Sequence, residues 1–202
     1  MVDDSAYPKW DSESEINAEW IRTKLKLECS SCRLNPDQPA IGGMSGSKLT
    51  RLVVETIGAE LPTLLLVMKE CQSQASKQYG LQRECQFYDN PMAGQVGYRI
   101  PKVFYSHFDN DGKKVLFMED LTDTVQCGYF FGPGNPNNWG KDLESLTKGF
   151  TGVDGEKILS TTFREAAKMH KRFWGDKDIL KHDWLRNSAN FRKEEREKWQ
   201  AL

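Results

Sequence analysis

The stretch that most constrains this chain is Leu61-Pro-Thr-Leu-Leu-Leu-Val-Met-Lys69, an almost continuous apolar run closed by a lysine. It is far short of the roughly 20 apolar residues of a membrane span, and no longer apolar run occurs. Its part from Pro62 to Lys69, opened by a proline and closed by a charge, reads as a β-strand. A chain of 202 residues with 38% hydrophobic and 28% charged residues has the composition of a soluble globular protein with one real core. Its net charge of −1 gives no electrostatic case for DNA or RNA, which calls for a basic excess. The N-terminus, MVDDSAYPKW, is acidic and has no apolar segment of the secretory type, so a cytoplasmic location is expected.

Other elements can be placed around that strand. Residues 1–14 are polar. Ile16 to Cys32 reads as a helix with Ile16, Trp20, Leu25 and Leu27 as its apolar positions, broken by Asn35-Pro-Asp-Gln-Pro39. Ala40 to Thr56 reads as strand, glycine turn, strand. Ser76 to Asp89 reads as a helix with Leu81, Cys85 and Tyr88 on one face. Arg99 to Phe108 and Lys113 to Met118 read as strands joined by Asp109-Asn-Asp-Gly112, a strong turn signal, with Val115 and Phe117 alternating. The sum is α+β: an antiparallel sheet with a helix packed on it. Residues 122–153 are rich in Gly, Pro and Asn and read as a long connection. Asp154 to Trp174 is the clearest helix, capped by Asp154, with Leu159, Phe163, Ala166, Ala167, His170, Phe173 and Trp174 on one apolar stripe. Residues 190–202 are charged and helix-prone. Three segments are expected: a helical extension over 1–37, a small lobe over 38–121 and a partial helical lobe over 122–202.

The five cysteines suggest no disulfide framework. Cys29-Ser-Ser-Cys32 is a lone pair, and a zinc site would need a second. His107, His170 and His182 are not clustered. Reduced thiols are the expectation.

The order of parts carries chemistry. A glycine turn lies between two strands; Lys69 ends the third; Glu84 stands on the following helix; two further strands end in Phe117-Met-Glu-Asp-Leu121. This is the order of the small lobe of a kinase, where a strand lysine neutralises nucleotide phosphates and a helix glutamate fixes that lysine. Taken singly, a lysine at a strand end is ordinarily a snorkelling surface residue. The turn IGGMSGSK is neither a Walker A loop nor the protein-kinase glycine motif. Gly42, Gly43 and Gly46 permit close backbone approach, and Ser45 and Ser47 offer hydroxyl donors.

Together GGMSG, LLLVMK, QRECQFYDN, IPKVFYSHFDNDGKKVLFMEDL and EAAKMHKRFWGDKDILKHDWLR resemble the aminoglycoside phosphotransferase and choline kinase-like superfamily, most closely its ecdysteroid kinase-like branch. The resemblance spans roughly residues 38–186. It implies a protein-kinase-like small lobe that binds ATP and transfers the γ-phosphate to a hydroxyl of a small organic acceptor. It makes Lys69 the phosphate-binding lysine and Glu84 its partner. Gly42, Gly43, Ser45 and Gly46 would cover the phosphates. Met118 would border the adenine, whose edge would meet the Glu119 carbonyl and the Leu121 amide. His170 would be a packing residue. The family pattern Leu-His-Ala-x-Phe-Trp is altered here to Met169-His-Lys-Arg-Phe-Trp174.

The family's catalytic loop, His-Gly-Asp-x4-Asn, and its second metal-binding aspartate have no counterpart. His182-Asp-Trp-Leu-Arg-Asn187 lacks the glycine and has its Asn one residue too early, and no aspartate follows Asp183. The Mg2+ that the family uses would therefore lack its ligands, and no catalytic residue is assigned. The expectation is an incomplete phosphotransferase, either a fragment of a longer product or a short relative inactive alone. The alternative is a truncated pseudokinase acting as a nucleotide-binding or protein-interaction module, with a full-length relative as one candidate partner and exposed aromatics at Tyr129, Phe130, Phe131 and Trp139 as its interface.

Overall fold

The computed structural model describes residues 16–35, 41–42, 47–58, 60, 62–71, 80–110, 113–121, 124–125, 127–130 and 142–185. The fold is α+β. Five antiparallel strands run in the spatial order β1 (Cys29–Leu34), β3 (Lys48–Thr56), β4 (Thr63–Cys71), β6 (Lys114–Glu119), β5 (Val103–Phe108), and a short strand, β2 (Ile41–Gly42), also pairs with β3. The apolar run that opened the sequence reading is the central strand β4, flanked by β3 on one side and β6 on the other. This accounts for its composition: a strand covered on both faces has little use for polar alternation.

Pairing sorts the side chains into two faces. Met68 lies opposite Phe117 and Glu70 opposite Val115, whereas Lys69 lies opposite Leu116 and Cys71 opposite Lys114. Because side chains alternate along a strand, Leu66, Met68, Val115 and Phe117 share one face. Val67, Lys69, Lys114, Leu116 and Met118 share the other.

The first face is closed by the N-terminal helix α1 (Ala18–Trp20), which continues as a wider π turn over Ile21–Leu25. Asn17 caps it, its side-chain oxygen accepting from the Trp20 amide at 2.9 Å. Ile16, Ile21 and Leu25 pack into one cluster with Leu52, Val54, Leu66, Met68, Val115 and Phe117. Trp20 lies with its ring centroid 4.9 Å from that of Phe117 and 5.6 Å from that of Tyr105. Burying a side chain such as Phe117 contributes about 2–3 kcal/mol. The wide turn accounts for the imperfect helical spacing of the apolar residues here.

A helix as far as Cys32 is not what forms. The helix ends at Leu25, Lys26 takes the left-handed conformation (φ 58), and the chain reverses into the edge strand β1. The Arg22 guanidinium donates to the Cys29 carbonyl at 2.6 Å across this reversal. Local preference in Cys-Ser-Ser-Cys is weak, and pairing with the apolar strand β3 overrides it.

On the second face sits α2 (Arg83–Tyr88), shorter than the helix read from the sequence; residues 72–79 lie outside the described residues. Cys85 anchors it, buried, with its thiol donating to the carbonyls of His107 (3.5 Å) and Val115 (3.9 Å). A 3-10 turn, Pro91–Gln95, leads on to β5.

Beyond the sheet, α3 (Gly155–Phe173) starts where Asp154 accepts from the Lys157 amide at 2.8 Å and stops at Gly175, whose φ of 71 suits glycine. Its apolar stripe is only partly covered. Ile158 is buried, but Phe163 is 65% and Trp174 85% exposed, and His170, expected to pack, is exposed as well. Residues 190–202 lie outside the described residues. No helix among the described residues is long and apolar enough to cross a membrane.

Candidate functional site

The charged residues of the second face come from three elements. Lys69, near the end of β4, is aimed at α2 by strand alternation. Glu84 sits in the first turn of α2, next to the buried anchor Cys85. Lys69 Nζ donates to Glu84 Oε1 at 2.7 Å. Glu84 Oε2 accepts from a third residue, Lys114 at the start of β6. Each carboxylate oxygen thus has its own ammonium.

The two lysines differ in exposure. The Lys114 side chain is 1% exposed and that of Lys69 27%. A lysine is almost never fully buried unless paired, and Glu84 is the ion-pair partner of Lys114 among the described residues. Burial pushes the Glu84 carboxyl up, but the Lys114 ammonium, with the help of Lys69, outweighs it and holds the pKa below the usual carboxylate value. Glu84 is therefore ionised at neutral pH. The same buried corner raises the neighbouring Cys85 thiol to about 11, chiefly through burial. It also raises the Tyr88 hydroxyl, through burial and the Glu84 charge. Neither is a ready nucleophile.

The strand end after β6 is fixed by the backbone. The Glu119 amide donates to the Lys102 carbonyl at 2.9 Å and the Asp120 amide to the Leu65 carbonyl at 3.1 Å. The Asp120 carboxylate, 3% exposed, meets the Arg51 guanidinium of β3 at 3.3 Å, and Glu119 pairs with Arg99 at 2.9 Å. The Leu121 carbonyl accepts from the Thr124 amide and hydroxyl; its own amide makes no hydrogen bond among the described residues. Met118 lies on the same face as Lys69, opposite Val67.

Of the residues singled out in the sequence, Lys69 and Glu84 are in direct contact, and Met118 shares their face. Glu119 and Leu121 follow on the same strand and its exit. Gly42 pairs with Lys48 at the edge of β3, and Leu49 lies opposite Lys69 on the next strand, so Gly42 stands beside the strand that neighbours Lys69. Gly43, Ser45 and Gly46 themselves lie outside the described residues, as do Phe131 and Trp139. Lys114 and Asp120 were not singled out. Lys114 follows a turn and another lysine and looks like solvated surface. Its only signal is strand parity, which puts it on the face of Leu116 and Met118.

The other motifs contribute less. Cys29 is buried and Cys32 half-buried, both as free thiols. Burial raises the Cys29 thiol and pushes that of Cys32 to about 12. His182 lies tilted against Trp184, with centroids 5.6 Å apart and ring planes 54° apart. Among the described residues no group of three or more His, Cys, Asp and Glu side chains could hold a metal ion. An apolar groove of about 520 Å³ lies away from the lysines, lined by Met92, Val96, Met169, Phe173, Trp174 and Ile179 among others.

No family model matches the chain, nor does any curated protein or solved structure.

Proposed function

We propose that this chain is the nucleotide-binding part of an ATP-dependent small-molecule phosphotransferase, of the kind whose γ-phosphate acceptor is a hydroxyl of a small organic compound. The observation that carries this is the Lys69–Glu84 contact of 2.7 Å, made between a central strand and the helix that follows it. A lysine held there by a carboxylate offers a fixed cation to a polyphosphate at little entropic cost. The sheet is that of a kinase-like small lobe in this reading. On the same reading Met118 borders the base, and the exit of β6 at Glu119 and Leu121 meets its edge; the phosphate-covering role expected of Gly43, Ser45 and Gly46 falls outside the described residues.

Among the described residues no group of three or more His, Cys, Asp and Glu side chains could hold a metal ion, and no step is assigned through magnesium. What the chain's own residues do is bind and orient: Lys69 takes phosphate charge, and Glu84 fixes Lys69. The reading therefore predicts nucleotide binding without turnover. In a calorimetric titration, ADP and ATP bind the purified chain and Lys69→Met weakens both about tenfold or more, the loss of one charge-assisted contact. Absence of ADP binding by the wild-type chain would overturn the reading, and phosphate transfer lost in Lys69→Met would overturn its second half.

The second reading, an interaction module on the same fold, draws on the exposed end of the α3 stripe, where Trp174 faces solvent. Exposed apolar groups of this size ordinarily have a partner. A clean monomer over a wide concentration range in sedimentation would count against self-association through this stripe.

A further inference from the structure

The paired-lysine arrangement has a charge balance that a simple lysine–glutamate pair lacks. Lys69 and Lys114 are two cations on one carboxylate, so the cluster carries one net positive charge. The burial pattern says where that charge resides. Lys114 is 1% exposed and lies deep, with its backbone between Cys71 on β4 and Phe108 on β5. Lys69 is the more open of the two. A buried ammonium and the carboxylate that covers it form a nearly neutral unit; the surplus falls to the outer cation.

We propose that Lys114 is a positioning residue of the anion site: it neutralises Glu84 from the buried side and so leaves Lys69 with a full positive charge to offer a polyphosphate. This rests on the nucleotide reading above and deepens it. With Glu84 and Lys69 alone, the approach of phosphate would compete with the carboxylate for the same ammonium. With Lys114 in place, Glu84 keeps a partner when Lys69 turns to the ligand. No buried carboxylate is then left uncompensated in the bound state. The ligand class is one with at least two phosphates, because the site supplies charge rather than shape.

The test is a charge ladder. Lys114→Met keeps the length of the side chain and removes its charge, bringing the cluster to net zero. ADP affinity then falls about tenfold, the scale of one close charge interaction, while adenosine affinity changes less than about twofold, since adenosine presents no phosphate charge. Lys114→Met combined with Glu84→Gln returns the cluster to one positive charge, and ADP affinity recovers in part, short of wild type because Lys69 is no longer held by Glu84. A purely structural role for Lys114 predicts losses shared by adenosine and ADP. Equal losses for adenosine and ADP, or a double variant no better than the single, would overturn the proposal.

A second readout needs no nucleotide. The titratable and charged groups around Glu84 and its helix neighbours are Lys69 from β4, Lys114 from β6, Cys85 and Tyr88 on its own helix, Asp89 at the helix end and Tyr98 beyond it. In a carbon-detected NMR titration, the Glu84 carboxyl moves up more in Lys114→Met than in Lys69→Met. The reverse order overturns the inference. A wild-type chain that binds no ADP overturns the nucleotide reading instead, and the carboxyl titration still decides whether Lys114 is the main counter-ion of Glu84.

Discussion

The two faces of one sheet meet the same requirement, exclusion of water, by opposite means. On the α1 face, Leu52, Val54, Leu66, Met68, Val115 and Phe117 are each 0% exposed, and the helix laid over them supplies Ile16, Ile21 and Leu25. On the α2 face the strands carry Lys69 and Lys114, and the helix supplies Glu84. The first face is stabilised by burial of apolar area, which tolerates imperfect geometry. The second holds charges together in a half-dry corner, where each ion is stable only while its partner is present. Such an arrangement gives a fold little net stability over apolar residues of similar volume.

This contrast can be broken by substitution. The largest effect is expected for Phe117→Ala, about 4 kcal/mol of stability lost through the removed contacts and the cavity left behind, read from chemical denaturation. Glu84→Gln follows at about 3 kcal/mol, because it strands the buried Lys114 ammonium. Here the faces part company: Glu84→Leu combined with Lys114→Met should restore most of that loss, whereas no single partner change on the other face can refill the Phe117 cavity. A double variant as unstable as Glu84→Gln would refute the charge-burial account.

Acid should separate the faces next. The folded pKa of Glu84 is held down, so its contribution to stability is full at pH values above the unfolded carboxyl's and is lost as pH falls through the folded value. Wild-type stability should therefore decline more steeply below about pH 4.5 than that of Glu84→Gln, which has no proton to take up there. The smallest effect belongs to Lys69→Met. With Lys114 still covering Glu84 and the Lys69 side chain partly solvated, it should cost no more than about 1 kcal/mol. A larger loss would move Lys69 from the ligand-facing role to a structural one.

Much of the sheet was legible before any coordinates. The continuous run before Lys69 marked a strand, the alternation of Val115 and Phe117 marked β6, and the Asp-Asn-Asp-Gly turn signal separated it from β5. Lys69 and Glu84 were legible as a pair because both flank unmistakable elements. Lys114 was not, since a lysine after a turn is normally solvated, and only the register against β4 reveals that Cys71 and Phe108 close around it. The strand at Cys29–Leu34 was misread as helix because its reversal rests on a left-handed Lys26, a conformation that no local signal at a lysine announces. The stripe on α3 was read correctly as a pattern but not as burial, since periodicity reports which residues share a face and not what covers them.

The strand order also dictates a sequence of events in time. Strands β3 and β4 are neighbours along the chain, as are β5 and β6, so each hairpin can close early and locally. The seam between β4 and β6 joins the two halves across a long stretch of chain, and such closures set the pace of folding. Lys69, Glu84 and Lys114 lie on β4, α2 and β6, one on each side of that seam and one on the helix between. The charged cluster is therefore assembled only when the seam closes. Substitutions at that seam, apolar or charged, should therefore slow refolding more than substitutions within the β3–β4 hairpin.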